Sequence, residues 1–342
     1  MRWVAIVTLL ATGSFLWFLA QAFTDIYEEV LASGVEQSVR LSQFVNERDL
    51  PVALQDPIEL FFVGDIMFSR AVGSTTMRVG DFSFPFLKSA NVLKSADITF
   101  GNLESPISDK GKNRGSIYSF RADPRMIEGL QLAGFDVLSL ANNHIWDYGA
   151  EALLDTVARL NKEGIKTIGV GPDSAGATAP ARFRVKGVDV VFLGYTNLYP
   201  ESLWATSGSP GVSPFQEEEI IDLIRKEKAE SDLVIVSMHW GEEYQPTSNL
   251  SQQLLARRMV EAGADLIIGH HPHVEQEWEK YRGGWIFYSL GNFVFDQTQS
   301  EETMRGLALR VQVVAGRVAI IERVPVQISP SLQPELGNPQ KL

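Results

Sequence analysis

Short apolar runs recur along this chain, separated by stretches long enough to hold a helix. The runs Ile58–Val63, Asp97–Gly101, Asp136–Leu140, Thr167–Val170, Val190–Tyr195, Leu233–Met238, Leu266–Gly269, Trp285–Leu290, Leu307–Val314 and Val318–Val326 are short and rich in Val, Ile, Leu and Phe, which predicts strands. Between them, apolar residues at helical spacing predict helices over Phe84–Lys94, Pro124–Ala133, Gly149–Lys162, Phe215–Glu230 and Leu250–Ala262. Gly134, Gly164 and Gly263 fall just past three of these, where a residue in the left-handed region stops a helix. Strand–helix–strand units define an α/β domain. The last strands lose their intervening helices and read as antiparallel. The stretch Thr196–Pro214 reads as a long loop of the kind that often carries function, and Ser329–Leu342, polar and proline-rich, as a loose tail.

A different pattern opens the chain. Arg2 precedes an apolar run from Trp3 to Ala20 that only Thr8, Thr12, Gly13 and Ser14 interrupt, which predicts an N-terminal hydrophobic helix of export type. Ala20-Gln21-Ala22 offers a small-x-small cleavage site, and the run is also near the lower limit for a spanning helix. Residues 1–22 are therefore either a signal peptide cleaved near Ala22 or a signal-anchor, with the run length favouring the anchor. One basic residue before the run and Asp25, Glu28 and Glu29 after it place the rest outside the cytoplasm. The expectation is a cell-membrane protein with a single N-terminal pass, or a secreted one. Residues 23–57, closed by Pro51 and Pro57, read as a short helix and linker, leaving 58–328 as one domain.

Composition narrows the partners. The formal net charge of -12 argues against nucleic acid, whose phosphates need clustered Lys and Arg. The chain has no cysteine, so it has no disulfide, thiolate zinc site or cysteine nucleophile.

The five histidines all lie at the ends of apolar runs. His144 ends DVLSLANNH, His239 ends DLVIVSMH, and His270, His271 and His273 close DLIIGHHPH. Strand C-termini are where α/β folds build their sites, and imidazole is the commonest transition-metal ligand. Carboxylates and amides gather at the same places: Asp65 in FFVGD, Asn102 and Glu104 in FGNLE, Asn142 and Asn143 before His144, and Glu242, Glu243 and Tyr244 after His239. Each has a plainer explanation taken alone. Asp65 can cap a helix, Asn142-Asn143 and Asn292 can serve turns, Arg121 can form a structural ion pair, and the histidines can form a hydrogen-bonded core network.

In this order the motifs resemble those of the calcineurin-like metallophosphoesterase superfamily. More closely, the chain resembles the CapA family of poly-γ-glutamate capsule biosynthesis proteins, through GDIMFSR, GNLESPIS, FRADP, FDVLSLANNHIWDYG, HWGEEY, GHHPHV and YSLGNFVFD, a span of Ile58 to Val314. The resemblance implies a four-layer α/β/β/α sandwich of the calcineurin-like metallophosphatase type with its site at the strand ends. It also implies metal ligation by Asp65, Asn143, His239, His271 and His273, with His144 as the acid beside them. Two positions depart from the superfamily: Met67 stands where a histidine is usual, and Asn102 where a bridging aspartate is usual, with Glu104 available to take over that bridge. Oxygen and imidazole donors together suit one or two divalent ions of Mn, Zn or Fe rather than Ca. Asp147, three residues after His144, is placed to orient it. Arg121, Asn102, Glu243, Tyr244 and Asn292 are candidates for substrate contact. The implied partners are the anionic polymer poly-γ-glutamate or a phosphoester substrate, the membrane, and membrane proteins of capsule synthesis. Three functions stay open: a hydrolase or transferase in making, exporting or anchoring the polymer, a metallophosphoesterase, and a non-catalytic scaffold that binds anionic polymer.

Overall fold

The computed structural model describes residues 56–342. The N-terminal apolar run and all but the end of the linker lie outside these residues. No described helix is long and apolar enough to cross a membrane.

Four strands open the larger sheet: β1 (Ile58–Ile66), β2 (Ile98–Leu103), β3 (Val137–Ser139) and β4 (Lys166–Ile168). They run parallel, each beside the next. Strand β5 (Val170–Gly171) forms a small ribbon with the later β8 (Gly211–Val212). Strands β6 (Ala181–Val185), β7 (Val188–Thr196), β9 (Leu233–His239), β10 (Leu266–His270), β11 (Trp278–Tyr281) and β12 (Gly284–Phe287) build the second sheet, in the order β11-β12-β10-β9-β7-β6. The chain then returns to the first sheet through β13 (Asn292–Val294), β14 (Arg305–Val314), β15 (Arg317–Ile328), β16 (Pro334–Leu336) and β17 (Gln340–Lys341). As the sequence predicts, β14 and β15 are antiparallel. Residues 329–342 are not a loose tail: β16 and β17 both pair with β15, where an edge strand offers unpaired backbone groups.

Alternation along the strands stacks the layers. Leu60, Phe62 and Phe100 of the first sheet meet Val190, Phe192, Ile235 and Ile268 of the second in one core between the sheets. The opposite residues of the first sheet, such as Phe61, Val63 and Leu138, pack with Leu93, Leu130, Leu153 and Leu160. Those four come from helices α2 (Ala90–Leu93), α3 (Ile127–Ala133) and α4 (Gly149–Lys162), which follow α1 (Arg70–Val79). On the far side, Val191, Val234, Val236 and Ile267 pack under α6 (Glu217–Glu230) and α7 (Leu250–Ala262), beyond the short α5 (Ser174–Thr178). The result is a mixed α/β fold of two facing sheets with helices outside both. Helix α1 and edge strand β6 lie beyond the predicted elements, and the predicted helix Phe84–Lys94 is a 3-10 turn at Phe84–Phe86 followed by α2.

Candidate metal centre

Two glycines let the connection from β12 to β13 lie close against β10 and β1. A Cβ on Gly64 would stand 2.0 Å from the Gly291 carbonyl oxygen, and one on Gly269 would stand 1.9 Å from that of Tyr288. Only glycine allows so close a backbone approach. The residues that follow, Asp65 and His270, come from opposite sheets, and Asp65 Oδ1 lies 3.2 Å from His270 Nδ1.

Asp65 is fully buried. Its Oδ1 accepts a hydrogen bond from Asn102 Nδ2 at 2.8 Å, and its Oδ2 accepts one from the His271 backbone N–H at 3.2 Å. Burial pushes its carboxyl up, but the imidazoles of His270 and His273 outweigh that and hold it well below the usual carboxylate range. Glu104 is equally buried, and neither of its carboxylate oxygens has a hydrogen-bond partner. Its Oε1 lies 3.9 Å from His144 Nε2, 3.9 Å from His239 Nε2 and 3.7 Å from His273 Nε2. Burial, with Asp65, Glu243 and Asp147 nearby, pushes its carboxyl well above the ordinary range.

The imidazoles are held by amides. Asn143 Oδ1 lies 2.7 Å from His239 Nε2, and Asn102 Nδ2 lies 3.3 Å from His239 Nδ1. Asn292 Nδ2 donates to Gln297 Oε1 and to the Thr303 carbonyl, both at 3.0 Å, which turns its Oδ1 to His273 Nδ1 at 3.0 Å. That assigns the proton of His273 to Nδ1 and leaves Nε2 facing Glu104. Burial pushes His239 well below the usual imidazole range, and burial with His273 pushes His271 down to about 3. Both are neutral near pH 7. His271 and His273 take φ values of 99° and 59°, so the turn after β10 is strained in the way functional turns often are.

His144 stands at the cavity edge of this group. Its Nδ1 lies 2.8 Å from Asp147 Oδ2, which also accepts the Phe120 backbone N–H at 2.7 Å, and the Phe120 ring stacks on the imidazole at 4.0 Å. A cavity of about 400 Å³ opens here, lined by Arg70, Tyr118, Phe120, His144, Glu243 and Tyr244, with His273. Arg70 is ion-paired with Asp296, and its guanidinium lies 4.9 Å from the Phe120 ring centre. Burial and Glu243 push the Tyr244 hydroxyl up to about 12, so it is a hydrogen-bond donor at neutral pH.

The structure brings Asp65, Glu104, Asn143, His144, Asp147, His239, His271 and His273 together, and places Glu243 and Tyr244 on the cavity. Three expected substrate contacts differ. Asn102 and Asn292 are fully buried, and their amides are spent on Asp65, His239 and His273. Arg121 lies 4.2 Å over the Tyr148 ring, outside the cavity lining. Phe120, Arg121 and Ala122 alternate buried, exposed, buried, so the extended segment turns the phenylalanine inward and the arginine out. Arg70, the last residue of GDIMFSR, is the arginine that lines the cavity. Met67 is buried in the core on the helix side of the first sheet. His270 is buried beside Phe100, with no hydrogen bond to either ring nitrogen.

Two groups of three side chains, Glu104 with His271 and His273, and Asp65 with Glu104 and His239, each bring one donor atom per residue within 4.8 Å of the others. Fold and site thus define an α/β protein whose parallel strand ends carry a buried carboxylate–imidazole cluster with the donor set of a cation site. The family model "Bacterial capsule synthesis protein PGA_cap" matches residues 59–297, and the chain belongs to that family. It is 37% identical over 246 residues to the PGA biosynthesis protein CapA of Bacillus subtilis (strain 168), covering 71% of this chain and 64% of that protein. It is 35% identical over 281 residues to the capsule biosynthesis protein CapA of Bacillus anthracis, covering 80% and 68%. The chain therefore spans about two thirds of the length of these relatives. A crystal structure of a hypothetical protein from Thermus thermophilus shares the fold, with a TM-score of 0.50 and 17% identity over 79% of this chain and 99% of that one.

Proposed function

We propose that this chain acts in the synthesis, export or anchoring of poly-γ-glutamate through a metal-dependent hydrolase or transferase site on a calcineurin-like metallophosphatase fold. The proposal places the domain outside the cytoplasm, behind a signal-anchor or a cleaved signal. The family and its CapA relatives support the biological role. The chemical part is carried by one observation, the buried Glu104. A desolvated carboxylate with no hydrogen bond and three imidazole nitrogens between 3.7 and 3.9 Å away is costly unless a cation joins them.

Asp65, Glu104, Asn143, His239, His271 and His273 would hold one or two ions, and their oxygen and nitrogen donors suit Mn, Zn or Fe. When bound, such an ion supplies Lewis acidity, polarising a phosphoryl or carbonyl oxygen and acidifying coordinated water. Asp147 holds His144 by Nδ1, so Nε2 is free to pass a proton to a leaving group at the cavity. Arg70 and Tyr244 present donors to an anionic substrate from the cavity wall. With Met67 turned into the core, the site lacks one imidazole of the superfamily pattern, which favours a single firmly held ion. The ordered His144–Asp147 pair favours catalysis over a purely scaffolding role, because a scaffold needs no oriented acid.

The test is metal analysis of the purified chain, with activity screens on phosphoesters and on γ-glutamyl substrates. At least one equivalent of Mn, Zn or Fe should co-purify or rebind, and His239→Ala should lose it. A wild-type chain that neither retains nor rebinds a transition metal sinks the metal-dependent proposal.

A further inference from the structure

We propose that the segment Asp109–Arg121 is a binding strip for successive carboxylates of an anionic polymer, leading from the cavity across the surface. This rests on the proposed role in poly-γ-glutamate handling. Tyr118 and Phe120 already form part of the cavity wall, and the residues before them run outward over the exterior. Four of the chain's 30 Lys and Arg fall in this short stretch, as Lys110, Lys112, Arg114 and Arg121, against one acid, Asp109. The nearby acids are already engaged: Asp109 pairs with Arg159 at 2.7 Å, and Asp155 with Lys110 at 2.6 Å. Among the described residues, no acid pairs with Lys112, Arg114 or Arg121. A chain of net charge -12 repels a polyanion at long range, so engagement requires a concentrated local positive field. This strip supplies one.

The strip is fixed to the candidate catalytic segment by its backbone. The Lys112 N–H donates to the Tyr148 carbonyl at 3.2 Å, and the Arg114 N–H donates to the Asp147 carbonyl at 2.8 Å. Gly111 permits this approach, since a Cβ there would stand 2.2 Å from the Tyr148 oxygen. Two arginines converge on the same stretch. The Arg121 guanidinium covers the Tyr148 ring, and Arg114 Cδ lies 3.4 Å from where a Cβ on Gly149 would stand. Asn113 Oδ1 braces the tip by accepting from the Gly115 N–H at 2.7 Å and from Ser119 Oγ at 3.1 Å. Tyr118 on the cavity wall and its neighbour Ile117, 66% and 92% exposed, offer apolar surface for the methylene groups between carboxylates. A polymer held here reaches the His144–Asp147 pair with its register set by cations whose backbone is bonded to that pair's own segment.

The test uses the full chain and poly-γ-glutamate, with binding read by titration calorimetry at low ionic strength and repeated with added salt. Lys112→Glu with Arg114→Glu should weaken polymer binding at least tenfold while leaving metal content and thermal midpoint at wild-type values. Lys112→Arg with Arg114→Lys should keep wild-type affinity, separating charge from loop structure. Wild-type affinity in the charge-reversal variant overturns the proposal. So does a wild-type chain that binds the polymer no better than free glutamate at equal carboxylate concentration, or one that prefers vesicles of anionic lipid. If the wild-type chain neither retains nor rebinds a transition metal, yet its polymer binding collapses on charge reversal, the strip is supported and the metal site is rejected. A metal-loaded chain indifferent to the reversal does the opposite.

Discussion

At their N-terminal ends β2, β3, β9 and β10 are each preceded by an aspartate, and at their C-terminal ends each carries something different. Asp97, Asp136, Asp232 and Asp265 share one role, although Asp97 and Asp265 also pair with Lys186 and Lys228. Each Oδ2 accepts a backbone N–H of the neighbouring strand at 2.8 Å, from Glu59, Thr99, Asp189 and Val234 respectively. Each aspartate's own backbone N–H returns a bond to the same residue's carbonyl. The acids Asp65 and Glu104 at the opposite end repeat nothing. One takes donors from both sheets, and the other takes none. A side chain that recurs with one geometry in both sheets is satisfying strand ends. The buried Glu104 carboxylate, left without a donor, serves no strand end.

The comparison breaks hardest at Glu104. Glu104→Gln should abolish bound metal, yet stabilise the metal-free protein by about 1–2 kcal/mol, because it removes a carboxyl whose ionised form burial and neighbouring acids disfavour. Metal analysis and chemical unfolding in chelator check both halves, and a destabilised metal-free variant breaks the contrast. Next, His144→Ala should lower turnover on whichever substrate proves active by about 10²–10⁴-fold while leaving metal content intact. Asp147→Asn should show a smaller loss with a displaced pH profile, since it holds the imidazole without touching substrate. Arg70→Ala should raise KM about tenfold more than it lowers kcat, as expected for a group that binds substrate in both ground and transition states. At the other strand end, Asp265→Ala should cost about 1–3 kcal/mol of stability by unpairing the Val234 N–H and Lys228, with no change in metal content.

The smallest effect sharpens the comparison most. Burial raises the Asp136 carboxyl above its ordinary value of 3.8, against the opposing Thr99 hydrogen bond. The folded state therefore holds this proton more tightly than the unfolded chain does. The resulting stability is fully present below pH 3.8 and is lost as pH rises through the raised value. Asp136→Asn keeps an acceptor for Thr99 and should flatten that part of the stability profile, with a change under about 1 kcal/mol at pH 7. Unfolding curves at several pH values read it directly.

Much of this was legible in the residues. Strands of Val, Ile and Leu buried on both faces announce themselves as apolar runs, and nearly every predicted run is a strand. Helix α1 did not show, because RAVGSTTMRV buries only Val72 and Thr76, too little for a helical stripe. Edge strand β6 alternates exposed Arg182 and Arg184 with its apolar residues, so no continuous run marks it. At the site, histidine position foretold which strand ends converge. It did not tell which amides touch substrate, because Asn102 and Asn292 read alike in sequence whether they face the cavity or the imidazoles. Arg121 turns outward for a similar reason: alternation fixes that neighbours face opposite ways, but only packing says which way is in. The four clamping aspartates stand in plain view as the first letters of DITF, DVLS, DLVIV and DLIIG, and their common spacing from the strand was the available signal.

The division of the cluster between two sheets also sets a timetable. Asp65 takes a hydrogen bond from His271, 206 residues further along the chain, and the contact of Asn143 with His239 spans 96. Closing loops of that length costs entropy before the contact rewards it, so such pairings slow folding. On the proposed reading, an ion finds its complete set of donors only when the domain is nearly finished, so loading follows assembly rather than guiding it. On that same reading, the compartment where folding ends, not the one where synthesis begins, would choose the metal that fills the site.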